Sequence, residues 1–142
     1  MRSGFTLIDL LLALTIAASV LLLSLPSAGD IRDRLLVDQA AREIVIAHAR
    51  ARLGAVAEGR VALLTIRQDS LRVDVIEGPD TLSRWSAGGP RGAGVALAGA
   101  PRTVAFAPIG VSFGVANATY TLSRGSHQKQ VVVSRYGRVR LQ

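Results

Sequence analysis

The chain has 142 residues, no cysteine and a formal net charge of +7. That length holds one small soluble domain beside one apolar segment, and the lack of cysteine excludes disulfides and any thiolate-based metal or redox centre. All ten acids lie at or before Asp80, whereas residues 81–142 carry eight bases and no acid, a segregation that points to nucleic acid, anionic headgroups or an acidic protein surface as partner.

From Phe5 to Leu25 the chain runs for 21 residues with a single charge, Asp9. At about 1.5 Å per residue a helix of that length reaches roughly 30 Å, the hydrocarbon thickness of a bilayer, so a membrane-spanning helix is predicted. Thr6, Thr15, Ser19 and Ser24 are small, and their hydroxyls can bond back to helix carbonyls. A carboxylate inside such a run costs on the order of 2.5–3.5 kcal/mol at a helix centre and less near an end, so Asp9 is expected to have a partner. Three readings fit the segment. One is a secretory signal peptide, with Arg2 as the basic flank and Pro26-Ser27-Ala28 near a cleavage site. Another is a plain N-terminal anchor. In the third, the chain is cut between Gly4 and Phe5, and the new amine of Phe5 lies one helical turn from Asp9, in the same copy or a neighbouring one.

The stretch Gly4-Phe5-Thr6-Leu7-Ile8-Asp9 resembles the start of the type IV pilin-like proteins, and the resemblance favours the third reading. It implies a short basic leader, residues 1–4, removed by a prepilin peptidase that also methylates the new N-terminal residue, here Phe5. It further implies that Asp9 registers one subunit against the next through the Phe5 amine. The family has Glu at this position, one methylene longer.

Pro26 follows the apolar run, and a kink or break is expected there. Asp30 is expected to cap a new amphipathic helix that ends at Gly54, with Leu36, Ala40, Ile44, Ala47 and Ala51 on one face. After Gly59 the period changes to two. Residues 60–67 and 71–76 read as a β-hairpin around Gln68-Asp69-Ser70, followed by a turn at Gly78-Pro79-Asp80. Residues 81–86 read as a short strand in which Trp85 partly covers the core. Residues 87–101, with five glycines and two prolines, read as a long loop with an extended piece at Val95-Ala96-Leu97. Further strands are expected at 103–107, 119–123, 130–134 and 138–141. The fold class is therefore α+β: a long N-terminal helical stem, transmembrane in its first half, packed on a small antiparallel β-rich head. The division is 1–4 leader, 5–25 membrane or filament-core helix, 26–54 stem helix and 55–142 head, with six or seven strands paired mostly in sequence.

The second half is similar to the GspH/FimT group of minor pilins and pseudopilins. It shares a strand carrying Phe before Pro-x-Gly, here Phe106-Ala107-Pro108-Ile109-Gly110, and a closing strand followed by Gly-Arg-x-Arg, here Gly137-Arg138-Val139-Arg140. The resemblance implies a structural subunit that assembles with other pilins or pseudopilins. It would be inserted once in the bacterial inner membrane with its head in the periplasm, and then drawn into a pseudopilus or pilus. The expected role is in type II secretion. The alternative is a pilus minor pilin of the FimT type that binds extracellular DNA for uptake.

No catalytic residue set, metal site or cofactor is expected. His48 and His127 lack the companions of a metal site, no serine sits in a nucleophile elbow, and the glycines of 87–99 are not followed by Lys-Ser/Thr. The open question is the arginines. Arg138 and Arg140, two apart on one strand, project to one side, and Arg124, Lys129 and Arg135 are expected to join them. Guanidinium groups grip phosphates in a bidentate way, and several in a row give salt-sensitive binding to a nucleic-acid backbone. By the resemblance, Arg138 and Arg140 are the DNA candidates. Without it, the same residues describe a solvated edge strand protected by charge or a contact with acidic groups of a neighbouring subunit.

Overall fold

Thr6 caps a helix, α1 (Leu7–Glu58). Its hydroxyl accepts from Asp9 N at 3.3 Å, and its own N–H and hydroxyl donate to Asp9 Oδ2 at 3.0 and 2.8 Å. Reciprocal bonds between a threonine and an acid three residues on form a capping box, which satisfies donors that a helix start otherwise leaves open. The structure, a computed structural model, describes residues 6–99, 102–113, 117–134 and 137–142, without the side chains of residues 23–27. Gly4, Phe5 and Arg135 therefore lie outside the described residues. The chain divides into two units, Met1–Arg32 and Asp33–Gln142.

In the first unit the hydroxyl of Thr15 donates to Leu12 O and that of Ser19 to Thr15 O, both at 2.8 Å, the back-bonding that keeps hydroxyls satisfied among apolar neighbours. The large apolar residues from Leu7 to Leu22 are exposed on all sides of the helix. Among the described residues no helix is long and apolar enough to cross a membrane; the apolar run begins at Phe5 and ends at Leu25, beyond the described side chains at both ends. The expected break at Pro26 and fresh start at Asp30 do not occur, because α1 continues through both. A proline costs a helix about 3 kcal/mol. The runs on either side are long, and each added residue contributes a hydrogen bond without a new nucleus.

The helix also passes the expected stop at Gly54 and ends at Gly59, where φ is 61°. Gly59 N bonds Val56 O at 3.4 Å and Arg60 N bonds Ala55 O at 3.2 Å. This pair of bonds is the Schellman closure, and it needs a left-handed residue that glycine adopts without a Cβ clash. Gly54 has no such role; it is an interior glycine tolerated inside a packed helix.

The buried face of the second unit's helix carries Val37, Ala41, Ile44, His48, Ala51 and Ala55, a run of alternating fours and threes. The expected stripe overlaps it: Ala40, Ala47, Ile44 and Ala51 are buried, but Leu36 only borders the core.

Nine strands follow among the described residues: β1 (Ala62–Ile66), β2 (Ser70–Glu77), β3 (Asp80–Gly88), β4 (Ala96–Ala98), β5 (Arg102–Phe106), β6 (Ser112–Phe113), β7 (Ala118–Arg124), β8 (His127–Val133) and β9 (Val139–Leu141). They form two antiparallel sheets, ordered β3-β2-β1-β5-β6 and β4-β7-β8-β9. Both sheets contribute alternate residues to one core with the helix, among them Leu64, Ile66, Val73, Val75 and Phe106 from the first, and Tyr120, Leu122, Val131 and Val133 from the second. The expected hairpin at 60–76 and the strands that follow are present. The expected loop at 87–101 is shorter, since it holds a 3-10 turn at Pro90–Ala93 as well as β4. Pairing is not all sequential, because β5 returns to β1 and β4 pairs with β7.

The register of β2 against β3 slips between Val73 and Asp74, which leaves Arg84 as the extra residue of a bulge. Both bulge residues reach the helix: Arg84 grips Glu58 at 2.7–3.1 Å, and the Trp85 ring lies 5.0 Å from the Arg50 guanidinium carbon. A bulge re-aims side chains in this way.

Candidate functional site

The β8–β9 hairpin closes through Ser134 N to Arg138 O and Gly137 N to Ser134 O, both at 2.8 Å, with Gly137 at φ 75°. Val131 pairs with Leu141, Val132 with Arg140 and Val133 with Val139. Strand alternation then sorts the residues: Val131 and Val133 face the core, while Val132 and Ser134 share the outer face with Arg138, Arg140 and Gln142. These five residues line one recess of about 510 Å³. The sequence pairing of Arg138 with Arg140 therefore corresponds to one shared surface.

Arg124 and Lys129 do not join it. They follow the inward alternation of Tyr120-Leu122-Arg124 and Lys129-Val131-Val133, so they lie on the sheet's opposite side. Arg124 Nε donates to Asp33 Oδ1 at 2.6 Å and its Nη1 to Ala93 O. Lys129 Nζ donates to Asp38 Oδ1 at 2.5 Å. That bond is the main cause that holds the Asp38 carboxyl below the ordinary carboxylate range. These two cations clamp the sheet to the helix. Their period-two spacing from buried neighbours could have placed them there.

A residue that sequence reasoning passed over belongs to the outer face. Arg102, at the start of β5, donates to Gly99 O at 3.0 Å and to Asn117 O at 3.2 Å. Two carbonyls thus fix its guanidinium beside a second recess, of about 490 Å³, lined also by Thr119, Val132 and Ser134. The two recesses share Val132 and Ser134. The separation of Arg102 from Arg138 in the chain gave no sign of this.

His48 is 2% exposed, and neither ring nitrogen has a hydrogen-bond partner. Burial pushes its pKa down to about 4, so the ring is neutral, and it packs edge-on against Phe106 at 5.9 Å. Tyr120 is fully buried, and burial pushes its hydroxyl up to about 12. Neither sits in a set of groups that could do chemistry, and among the described residues no three acids or histidines converge on a metal position.

The helix of the second unit has a further face. Leu35, Ile46, Leu53 and Val56 are exposed. At about 100° per residue they fall within about 80° of one another, on the side away from the buried stripe. Leu53 and Val56 border a recess that Gly137, Arg138 and Val139 also line, and the exposed Arg42 shares the side that holds Leu35 and Ile46.

No family model matches the chain, and no curated protein matches it. Two solved structures do, both of the type IV minor pilin FimU of Pseudomonas aeruginosa in different crystal forms. One is 18% identical, covers 79% of this chain and 92% of that one, and has a TM-score of 0.63. The other is 14% identical, covers 74% and 91%, and has a TM-score of 0.56. The fold is that of a type IV minor pilin. That fold accounts for the order of stem helix and β-rich head.

Proposed function

We propose that this chain is a minor pilin-like subunit of a type II secretion pseudopilus, assembled through its helix and exporting no chemistry of its own. The observation that carries the reading is the exposed apolar surface: large apolar residues on all sides of the helix from Leu10 to Leu22, and Leu35 and Ile46 further along it, away from the buried stripe. A single copy leaves this area in water, which is unfavourable by about 25 cal/mol per Å² of apolar surface. Helices of neighbouring subunits are the occupants that suit it. In this reading residues 1–4 are removed by a prepilin peptidase, Phe5 is methylated, and residues 5–25 hold the subunit in the inner membrane until it enters the filament. The head then faces the periplasm.

The test is incorporation of the full chain into filaments in a host that assembles them. A Leu35→Glu/Ile46→Glu variant is expected to be made, trimmed and folded, yet to be missing from sheared filaments. Normal incorporation would remove these two residues from the mechanism. Asp9 separates two roles in the same assay. Asp9→Asn keeps an oxygen to accept from Thr6 but loses the charge that would pair with the Phe5 amine. Loss of incorporation in Asp9→Asn supports registration between subunits, whereas loss only in Asp9→Ala makes Asp9 a cap.

A second reading, a pilus minor pilin of the FimT type that binds DNA for uptake, is favoured by the acid-free recess of Arg138 and Arg140. Phosphate-backbone binding by those residues would weaken steeply with salt.

A further inference from the structure

The head's charges are not spread evenly once its internal ion pairs are set aside. Asp33, Asp38, Glu58, Asp74 and Glu77 are each matched within the head, by Arg124, Lys129, Arg84, Arg72 and Arg60. The acids of the second unit outside these pairs are Glu43, Asp69 and Asp80. They sit on the helix, in the β1–β2 turn and at the start of β3, and they form no patch. Arg102, Arg138 and Arg140 meanwhile share an outer sheet face with no acid among the residues lining either recess. Among the described residues the second unit of another copy has no cluster of free acids to offer that face, and contact between two such faces is repulsive.

From this juxtaposition we infer that the outer face of β7, β8 and β9 is a heterotypic docking surface for an extended acidic segment of a different protein. The segment would alternate carboxylates with small apolar side chains. Its carboxylates take the guanidinium forks of Arg102 on one side and of Arg138 and Arg140 on the other. Val132, common to both recesses, lies between them and receives an apolar side chain. Ser134, Thr119 and Gln142 offer hydrogen bonds at the rim. An apolar floor between cations suits a polypeptide better than a nucleic-acid backbone, which presents phosphate and sugar at every step. Among the described residues this face also holds no aromatic ring on which a base could stack. The inference rests on the subunit reading and names its neighbour: an acidic partner subunit or cargo, not another copy.

The experiment uses the full chain in non-ionic detergent and a fluorescent peptide of repeating Glu-Val, with duplex DNA as the competing probe. Binding by anisotropy is expected, falling with salt. Arg138→Ala/Arg140→Ala should weaken it by about tenfold, the scale of two partly exposed charged contacts. The charge-matched Arg67→Ala/Arg91→Ala variant, altered at exposed positions off this face, should bind like the parent. Val132→Asp, which retains every arginine, should also abolish binding, and unchanged urea midpoints would exclude misfolding as the cause. Equal weakening in the Arg67/Arg91 variant would reduce the effect to net charge and overturn the inference. DNA binding without peptide binding would overturn it in favour of uptake. The Leu35/Ile46 variant must still bind the peptide, so failure of assembly and failure of this surface are read separately.

Discussion

At His48 the helix places a titratable ring in the core without a hydrogen-bond partner. An unfolded histidine takes a proton below about 6.5, but this one, held down by burial, does so only near 4. Between those values the unfolded state binds more protons, so stability that is complete above pH 6.5 is lost as pH falls toward 4. The full shift corresponds to roughly 3 kcal/mol. His48→Leu removes both the proton linkage and two unsatisfied nitrogens, at similar volume. Urea midpoints from pH 7 to 4 should therefore decline less in the variant than in the parent, and the variant should be more stable by about 1 kcal/mol at pH 7. Parallel declines would remove His48 from the acid response. The clamps differ in kind. Lys129 and Arg124 are both about a quarter exposed, and an ion pair in that setting contributes at most about 1 kcal/mol. Lys129→Met, which keeps the stem of the side chain, should lower the urea midpoint slightly and make it less sensitive to salt.

Among the elements, the helix was readable in its composition but not in its ends. Pro26, Gly29 and Gly54 are all local stop signals, yet α1 passes through each. The stop that operates is Gly59, where the left-handed turn is completed by two backbone bonds. Gly59→Ala should cost about 1 kcal/mol, because alanine must adopt the same positive φ, whereas Gly54→Ala, with open space around the added methyl, should be neutral or stabilising. Equal effects in thermal unfolding would contradict the assignment of the cap. Four of the five expected stripe residues, Ala40, Ile44, Ala47 and Ala51, are buried. The face is wider than expected and takes Val37 in place of Leu36, because Leu35, Leu36 and Val37 are adjacent and all apolar and spacing alone allowed more than one face. The same redundancy leaves Leu35 exposed. Strands were legible wherever alternation was clean, as in Leu71-Arg72-Val73-Asp74-Val75. β6 and the early start of β8 were not, since two residues carry no period and His127-Gln128-Lys129 has no apolar member to mark a face.

For the whole molecule, the α+β class and the order of helix before strands could be read from the switch in hydrophobic period, but the division into two sheets could not. It depends on contacts between residues distant in the chain. The division also separated the candidate arginines: one sheet face kept Arg138 and Arg140, the other turned Arg124 and Lys129 toward the helix, and the first sheet supplied Arg102. Gln68 is among the side chains that bridge the two sheets. The Gln68 amide donates from Nε2 to Val95 O and accepts from Leu97 N, each at 2.8 Å. It thereby ties the β1–β2 turn of one sheet to the edge strand β4 of the other, as a neighbouring strand would. An amide is needed because both a donor and an acceptor are used. Gln68→Glu keeps the acceptor but sets a carboxylate against the Val95 carbonyl, so it should cost more than the loss of one bond, about 1–3 kcal/mol. The damage should be local. β4 is three residues long and pairs otherwise only with β7, so the Leu97 amide should exchange with solvent much faster in Gln68→Glu, while the β7–β8 amides of Tyr120 and Val131 stay protected. If all of these amides accelerated together, the two sheets would unfold as one unit and Gln68 would be a point of global stability. If none did, β4 would be held by β7 alone.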